Sequence, residues 1–433
     1  MTQPPTCDDG LDMTNDSSSS TVTATSDATE TVSSGADPRT IRLAMAALIM
    51  GGFAIGVTEF VTMGLLPQIA NGINEDIPTA GHTISAYAVG VVVGAPVISI
   101  LAAKAPRQVM LLALMAVFTL GNALSAVAPN YESLMVARFF SGLPHGAFFG
   151  MASLVAISLA PKGRSGRAVA TVMLGIPFAN VLGVPVATWM GQAYGWESAY
   201  WAVAIIGVIT VAMIMVWVPK TQADRHQDWR REMAAFRSTQ VWLTLLVGAI
   251  GFGGMFAMYS YIAPTVTEVT GRPESWVPVF LFSFGLGMIV GTKLGGHLAD
   301  WSILRSLVIN GVIMTSLLAA FSVTAQWTIP ALLTVFAISV ATGAWVIGLQ
   351  MRLMSVAGEA RNLGAAMNHA SLNFANALGA LLGGSIVAAG YGYRAPSLVG
   401  AGLASAGLLV LGISVLVHRR DMATQRASSL AEG

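Results

Sequence analysis

Charge is the scarcest ingredient of this sequence: Asp, Glu, Lys and Arg together make up 10% of its 433 residues. Soluble globular domains carry roughly 25%. A deficit of that size excludes a chain whose surface lies mostly in water. One cysteine, Cys7, excludes an internal disulfide and a cysteine-based metal site. The net charge is only +1, and no Lys/Arg-rich patch with interleaved aromatics occurs, which argues against nucleic acid as a partner. No GxxxxGK[ST] phosphate loop is present, which argues against an ATP-driven pump. No nucleophile–base or metal-ligand constellation stands out, so neither an enzyme nor a cofactor is expected. The first 38 residues lack Lys and Arg altogether and contain the run SSSS at 17–20. They have too few bulky apolar residues to bury a core, and neither the basic start nor the apolar middle of a signal peptide. A disordered, acidic Ser/Thr-rich cytoplasmic tail over 1–40 is expected.

What the chain does have is apolar length, with 55% hydrophobic residues. A helix needs about 20 such residues to cross roughly 30 Å of hydrocarbon. Twelve candidate spans follow: 42–66, 81–103, 107–127, 132–159, 168–193, 196–218, 241–263, 277–299, 305–325, 328–351, 362–389 and 396–418. Backbone groups in lipid must bond internally, and long runs without alternation exclude a barrel. Basic residues in loops mark the cytoplasmic face. With the N-terminus inside, the opposite face holds only Arg272 and Arg394, while Arg138 and Lys293 lie within spans. Both termini are therefore expected in the cytoplasm. The hydrophilic stretch 220–240, read as a solvated connector, separates an N-terminal bundle (41–219) from a C-terminal bundle (241–418), with a second tail at 419–433.

The halves repeat one another. Residues 178–183 read FANVLG and 374–379 read FANALG, each in the fifth span of its half and each followed by a Gly-aromatic turn, Gly195-Trp196 and Gly392-Tyr393. GAPVISILAAKAPRQ from Gly94 and GTKLGGHLADWSILR from Gly291 each close a second span. Two halves in the same orientation imply a pseudo-twofold axis along the membrane normal and a cavity between them.

A few polar residues sit where lipid should exclude them. Glu59 interrupts the first span; a carboxylate at mid-bilayer costs about 2.5–3.5 kcal/mol on insertion scales. Such a group suits a proton carrier, the alternative being a side chain that snorkels to the headgroups. Arg138 in the fourth span must face the bundle interior and find a partner. His145, seven residues on, lies two turns along the same face and suits a proton relay or a substrate hydrogen bond; plain packing is the alternative. Asn180, Asn373 and Asn376 line the fifth spans and could hydrogen-bond a substrate or a neighbouring helix. Phe148, Phe149, Tyr259 and Trp345 offer an apolar wall, with ordinary packing as the alternative. Lys293, His297 and Asp300 cluster at the cytoplasmic end of span 8, where local ion pairs would steady one conformer.

TEFVTMGLLPQIA (58–70), ISAYAVGVVVGAP (84–96), ARFFSGLPHGAFFG (137–150), GVPVATWMGQAYGW (183–196), GGHLADW (295–301) and LQMRLM (349–354) together resemble the major facilitator superfamily. The resemblance is to its twelve-span drug:proton antiporter branch, in the arabinose-exporter-like and chloramphenicol-exporter-like group of bacterial inner-membrane transporters. It covers roughly residues 42–418. It implies an all-α membrane protein of major facilitator fold, with twelve transmembrane helices in two pseudo-symmetric six-helix bundles. It also implies an acidic residue at Glu59 and proton transfer at Arg138. The glycines and prolines of span 5 (Gly175, Pro177, Gly183, Pro185) resemble a motif associated with export. One departure stands out: the stretch 102–107, Ala-Ala-Lys-Ala-Pro-Arg, lacks the usual Asp, whereas the second half keeps Asp300. The reading is a proton-coupled exporter of small organic molecules, monomeric in the bilayer, with a proton-coupled importer or facilitator as the second possibility. A membrane sensor is more remote, because no sizeable soluble effector domain is present.

Overall fold

The computed structural model describes residues 37–102, 105–161, 165–220, 237–357 and 361–431. The acidic tail up to residue 36, most of the 220–240 connector, and Lys104, Lys162 and Arg164 lie outside the described residues. The described residues are helical and turn-like, without strands. The long apolar helices are α1 (Pro38–Gly64), α2 (Ile77–Ile98), α3 (Arg107–Ala126), α4 (Tyr131–Leu159), α5 (Ala168–Tyr194), α6 (Glu197–Trp217), α7 (Thr239–Tyr259), α8 (277–301), α9 (303–324), α10 (Thr328–Val356), α11 (Met367–Tyr391) and α12 (Ala395–Arg420).

The elements start and stop where local chemistry dictates. Helix α1 begins at Pro38, four residues earlier than the apolar run suggested, because Asp37 caps it by accepting from the Arg39 N–H at 3.1 Å. A loop was expected between α8 and α9, but Val277–Thr324 is continuous except at Ser302, which is extended (φ −171°, ψ 114°). That one residue breaks the hydrogen-bond ladder, and its hydroxyl accepts from the Arg305 N–H to cap the next helix. At the C-terminus the helix Ala395–Ala431 runs past the expected end at 418, since no Gly or Pro follows Gly412 before residue 433. Helix α4 is jointed at Leu143–Pro144, and α5 and α7 each widen into a π-helical turn, at Ala179–Gly183 and Val247–Gly251. Gly195 and Gly392 end α5 and α11 at φ +92° and +73°, a conformation that side chains resist.

The repeat is visible in the packing. A Cβ placed on Gly94 would lie 2.1 Å from the Leu143 carbonyl, and one on Gly291 would lie 2.2 Å from that of Val340. Both pairs differ by 197 positions, from Gly94 to Gly291 and from Leu143 to Val340. Gly90 against Phe139 and Gly287 against Phe336 keep the same offset. The second and fourth helices of each half therefore touch backbone to backbone through equivalent glycines, the close approach that membrane helices favour. Leu120, Val216, Trp201 and Trp327 are among the large apolar residues left exposed, as a surface facing hydrocarbon requires.

The halves meet along α1, α2, α4, α5 and α8 together with α7 and α11. Side-chain hydrogen bonds that join them include Gln68 Nε2 to Glu274 Oε2 (2.8 Å), Gln192 Nε2 to the Glu274 carbonyl (2.9 Å), and Ser85 Oγ to the Ala377 carbonyl (3.2 Å). The first two lie at the end opposite the termini.

Candidate functional site

Glu59 sits on α1 in a stretch that is buried from Ala54 to Gly64, and the carboxylate faces the interface between the halves rather than the lipid. Its neighbours are Arg138 on α4, Tyr87 on α2 and Asn376 on α11. No ion pair forms between Glu59 and Arg138. Instead Arg138, fully buried, gives Nη1 to Thr58 Oγ1 (2.9 Å) and Nη2 to the Thr58 carbonyl (3.2 Å). Its guanidinium also lies over the rings of Tyr87 (4.4 Å) and Tyr200 (5.4 Å), and its Nε has no partner. Thr58 in turn donates to Asn122 Oδ1, whose Nδ2 is held by the Phe118 carbonyl at 2.8 Å. The acid and the base are thus separate charges within electrostatic reach, and a hydroxyl relay fixes the base.

His145 shares the site. The Tyr87 hydroxyl bonds its Nδ1 at 3.1 Å, and its Nε2 is buried without a partner. From the other half, His369 on α11 stacks face to face on Phe149 (5.3 Å between centroids, 5° between planes) and lies 6.2 Å from the His145 ring. The spacing of His369, Asn373 and Asn376 places them on one face of α11. Asn373 Nδ2 bonds the His369 carbonyl at 3.1 Å and leaves Oδ1 without a partner, and the Asn376 amide turns to the Glu59 carboxyl. A buried amide oxygen without a partner, as on Asn373, is uncommon.

The remaining sequence candidates fall in different places. Asn180 is buried on α5, with Nδ2 on the Ile176 carbonyl (3.1 Å) and its own main chain pressed against Gly285 of the other half. Tyr259 packs tilted against Phe284 (4.1 Å between centroids, 32° between planes) and edges onto Phe60 across the interface (5.9 Å), with its hydroxyl unpartnered among the described residues. Phe148 packs on Gly51 and Trp345 on Gly251, each fully buried within its own half. Lys293, His297 and Asp300 are exposed along the end of α8 nearest the termini; His297 Nδ1 meets the Lys293 carbonyl at 2.9 Å, and no ion pair joins the three or links Asp300 to Arg305 among the described residues. Outside the spans, Thr79 holds the Asp76 carboxyl below its usual range, through its hydroxyl and then its N–H.

Sequence reasoning missed Thr58, Tyr87 and His369. Hydroxyls in apolar runs read as packing. His369 stood in plain view four residues before Asn373, and the stripe 369, 373, 376 was the available signal.

The sequence profile of the Major Facilitator Superfamily matches residues 48–362. The chain is 41% identical to the inner membrane transport protein YdhP of Escherichia coli (strain K12) over 374 residues, 86% of this chain and 96% of that protein. It is 30% identical over 364 residues to a chloramphenicol resistance protein of Streptomyces lividans, covering 82% and 92%. Its fold matches the crystal structure of a bacterial homologue of the human lysosomal transporter Spinster, with TM-score 0.69 at 14% identity over 88% of this chain and 96% of that one. The apolar helices of the described residues, the six motifs and these relatives agree: the chain belongs to the Major Facilitator Superfamily, and is a transporter of that family rather than an enzyme.

Proposed function

We propose that this transporter exports small organic compounds across the bacterial inner membrane in exchange for protons. The observation that carries the reading is Glu59, a carboxylate buried at the interface of the two halves with no ion-pair partner among the described residues. A carboxyl group in such a place is costly when ionised and unpaired, so its protonation state is tied to which side of the membrane reaches it. In the cycle, Glu59 takes a proton from the outer side while Arg138 stays fixed on Thr58. The protonated protein rocks to face the cytoplasm, where substrate on the α11 amides displaces the proton, and the loaded protein rocks back. Both termini lie in the cytoplasm, a reading that the distribution of Lys and Arg supports, and one chain suffices for transport. Export rather than uptake draws on the span-5 motif and on relatives named for chloramphenicol resistance and probable sugar efflux.

The test combines a growth-inhibition panel with inverted vesicles under an imposed pH gradient, comparing wild type with Glu59→Gln. Export predicts compounds tolerated only when the wild-type protein is made, and proton efflux from inverted vesicles when such a compound is added. Glu59→Gln abolishes that coupled flux. Tolerance or flux indifferent to the substitution overturns the reading.

A further inference from the structure

We infer that the seam between α2, α4 and α11 seats one acyl chain of a phospholipid whose headgroup carries an ammonium. The lipid belongs to the leaflet opposite the termini. A groove of about 550 Å³ opens at this seam, within the range of about 300–1,000 Å³ usual for small-molecule sites. Ala86 and Val89 of α2, Val136, Phe139 and Phe140 of α4, and Leu381 of α11 form its walls. The first two helices belong to one half and the third to the other. Ser85 Oγ ties them together by donating to the Ala377 carbonyl of α11 at 3.2 Å. Val89, Val136, Phe140 and Leu381 are each roughly half exposed, so the groove lies open on the surface that faces hydrocarbon. No Lys, Arg, Asp or Glu lines it. Such walls offer water few partners and take an apolar chain without stranding a charge.

The length of the groove and its one polar end select the occupant. That end is formed by His82 and Tyr131, near the starts of α2 and α4, where the His82 Nδ1 meets the Tyr131 hydroxyl at 3.0 Å. From there the walls run to Val89 and Phe140, seven and nine residues along their helices. At the helical rise this is about 10–14 Å. One leaflet of hydrocarbon is about 15 Å deep. The groove thus has the reach of a chain whose headgroup rests at His82 and Tyr131. The rim around that pair is acidic. Glu75 and Glu132 lie within electrostatic reach of Tyr131, and Asp76 within reach of His82, all three being exposed. The arginines of this end are engaged elsewhere: Arg272 Nε donates to Thr328 Oγ1 of α10 (2.6 Å) and Arg394 Nε to the Ser322 carbonyl of α9 (2.5 Å). An ammonium finds acceptors at this rim, whereas a headgroup of net negative charge meets three carboxylates. The inference is independent of the antiport reading, because it concerns a surface that the Glu59 site does not use.

Photolabelling tests it directly. Full-length protein is placed in nanodiscs with a phospholipid that carries a mid-chain diazirine on either a phosphoethanolamine or a phosphoglycerol headgroup. Adducts are mapped by peptide mass spectrometry after photolysis. The expected result is a several-fold excess of adducts on 85–89 and 135–140 over Leu120 and Ile205, which are at least as exposed. The phosphoethanolamine probe should label the groove several-fold more than the phosphoglycerol probe. Ala86→Leu fills the groove and should remove the excess while leaving Leu120 unchanged. Val89→Trp does the same from an exposed position should the first variant fold poorly. Glu132→Gln on the rim should narrow the difference between the headgroups. Adducts spread evenly over the exposed apolar surface overturn the inference, as does an excess that survives both groove-filling variants. Equal labelling by the two headgroups, or a preference for phosphoglycerol, overturns it as well.

Discussion

The two halves share a backbone and differ in chemistry at matched positions. The offset of 197 that relates Gly94 to Gly291 and Leu143 to Val340 also sets Glu59 against Phe256, Tyr87 against Phe284 and Arg138 against Val335. These three members of the cluster stand against apolar residues of the other half, whereas His145 and Tyr200 stand against Thr342 and Ser397. The fifth helices reverse the pattern: the FAN repeat pairs Asn180 with Asn376, and the same step of 196 pairs Met173 with His369. The N-terminal half thus holds fixed charge, and the C-terminal half holds hydrogen-bonding groups that await a partner. A duplicated scaffold need not carry duplicated function; here the rocking geometry is symmetric and the site is not.

The most damaging way to break the comparison is to remove the charge that only one half has. Arg138→Met deletes two charge-assisted hydrogen bonds to Thr58, each worth about 1.5–3 kcal/mol, and leaves Glu59 without its nearby cation. We expect transport to fall at least tenfold, with reduced yield of folded protein. Arg138→Lys keeps the charge but cannot reach both the hydroxyl and the carbonyl of Thr58, and should fall between. Val335→Met at the matched position should leave the pH profile of transport unchanged. A pH profile altered equally by both changes would mean that the asymmetry has no functional weight.

The scaffold itself predicts equality. Gly94→Ala and Gly291→Ala each drive a methyl group into a carbonyl at just over 2 Å, and overpacking of that kind costs about 1–3 kcal/mol. Apparent melting temperatures in detergent should drop for both, and by similar amounts. A drop confined to one half would show that the repeat is a likeness of sequence and not of packing load.

The same contrast explains what could be read from the sequence. Hydropathy and the Gly-aromatic turns located the helices, and Glu59 and Arg138 announced themselves because charge in an apolar run has few explanations. The second of the two repeats, Gly94 with Gly291, marks a close backbone contact in each half, since a glycine pattern reports a contact that side-chain identity hides. The break between spans 8 and 9 was legible in the gap 300–304, but its form was not: a single extended residue, Ser302, interrupts the helix without any Gly or Pro to mark it. Nor was the separation of Glu59 from Arg138, because the adjacent Thr58 captures the guanidinium only in three dimensions. His369 escaped notice because its repeat partner is Met173, so a search guided by symmetry passes over it.

The smallest expected effect tests the amides, where the halves look most alike. Asn180 and Asn376 occupy equivalent places, yet Asn180 spends its Nδ2 on Ile176 while Asn376 turns its amide to Glu59 across the interface. Removing a neutral hydrogen bond to a ligand is worth about 0.5–1.5 kcal/mol, roughly a two- to tenfold change. Asn376→Ala should therefore raise the substrate concentration for half-maximal transport by such a factor. Asn180→Ala, whose loss is local to α5, should show a smaller change in affinity and some loss of thermal stability. Equal effects on affinity would place the substrate on the pseudo-twofold axis, touching both fifth helices. A larger effect from Asn376 sets it off the axis, against α11, on the side where Glu59 and His145 converge.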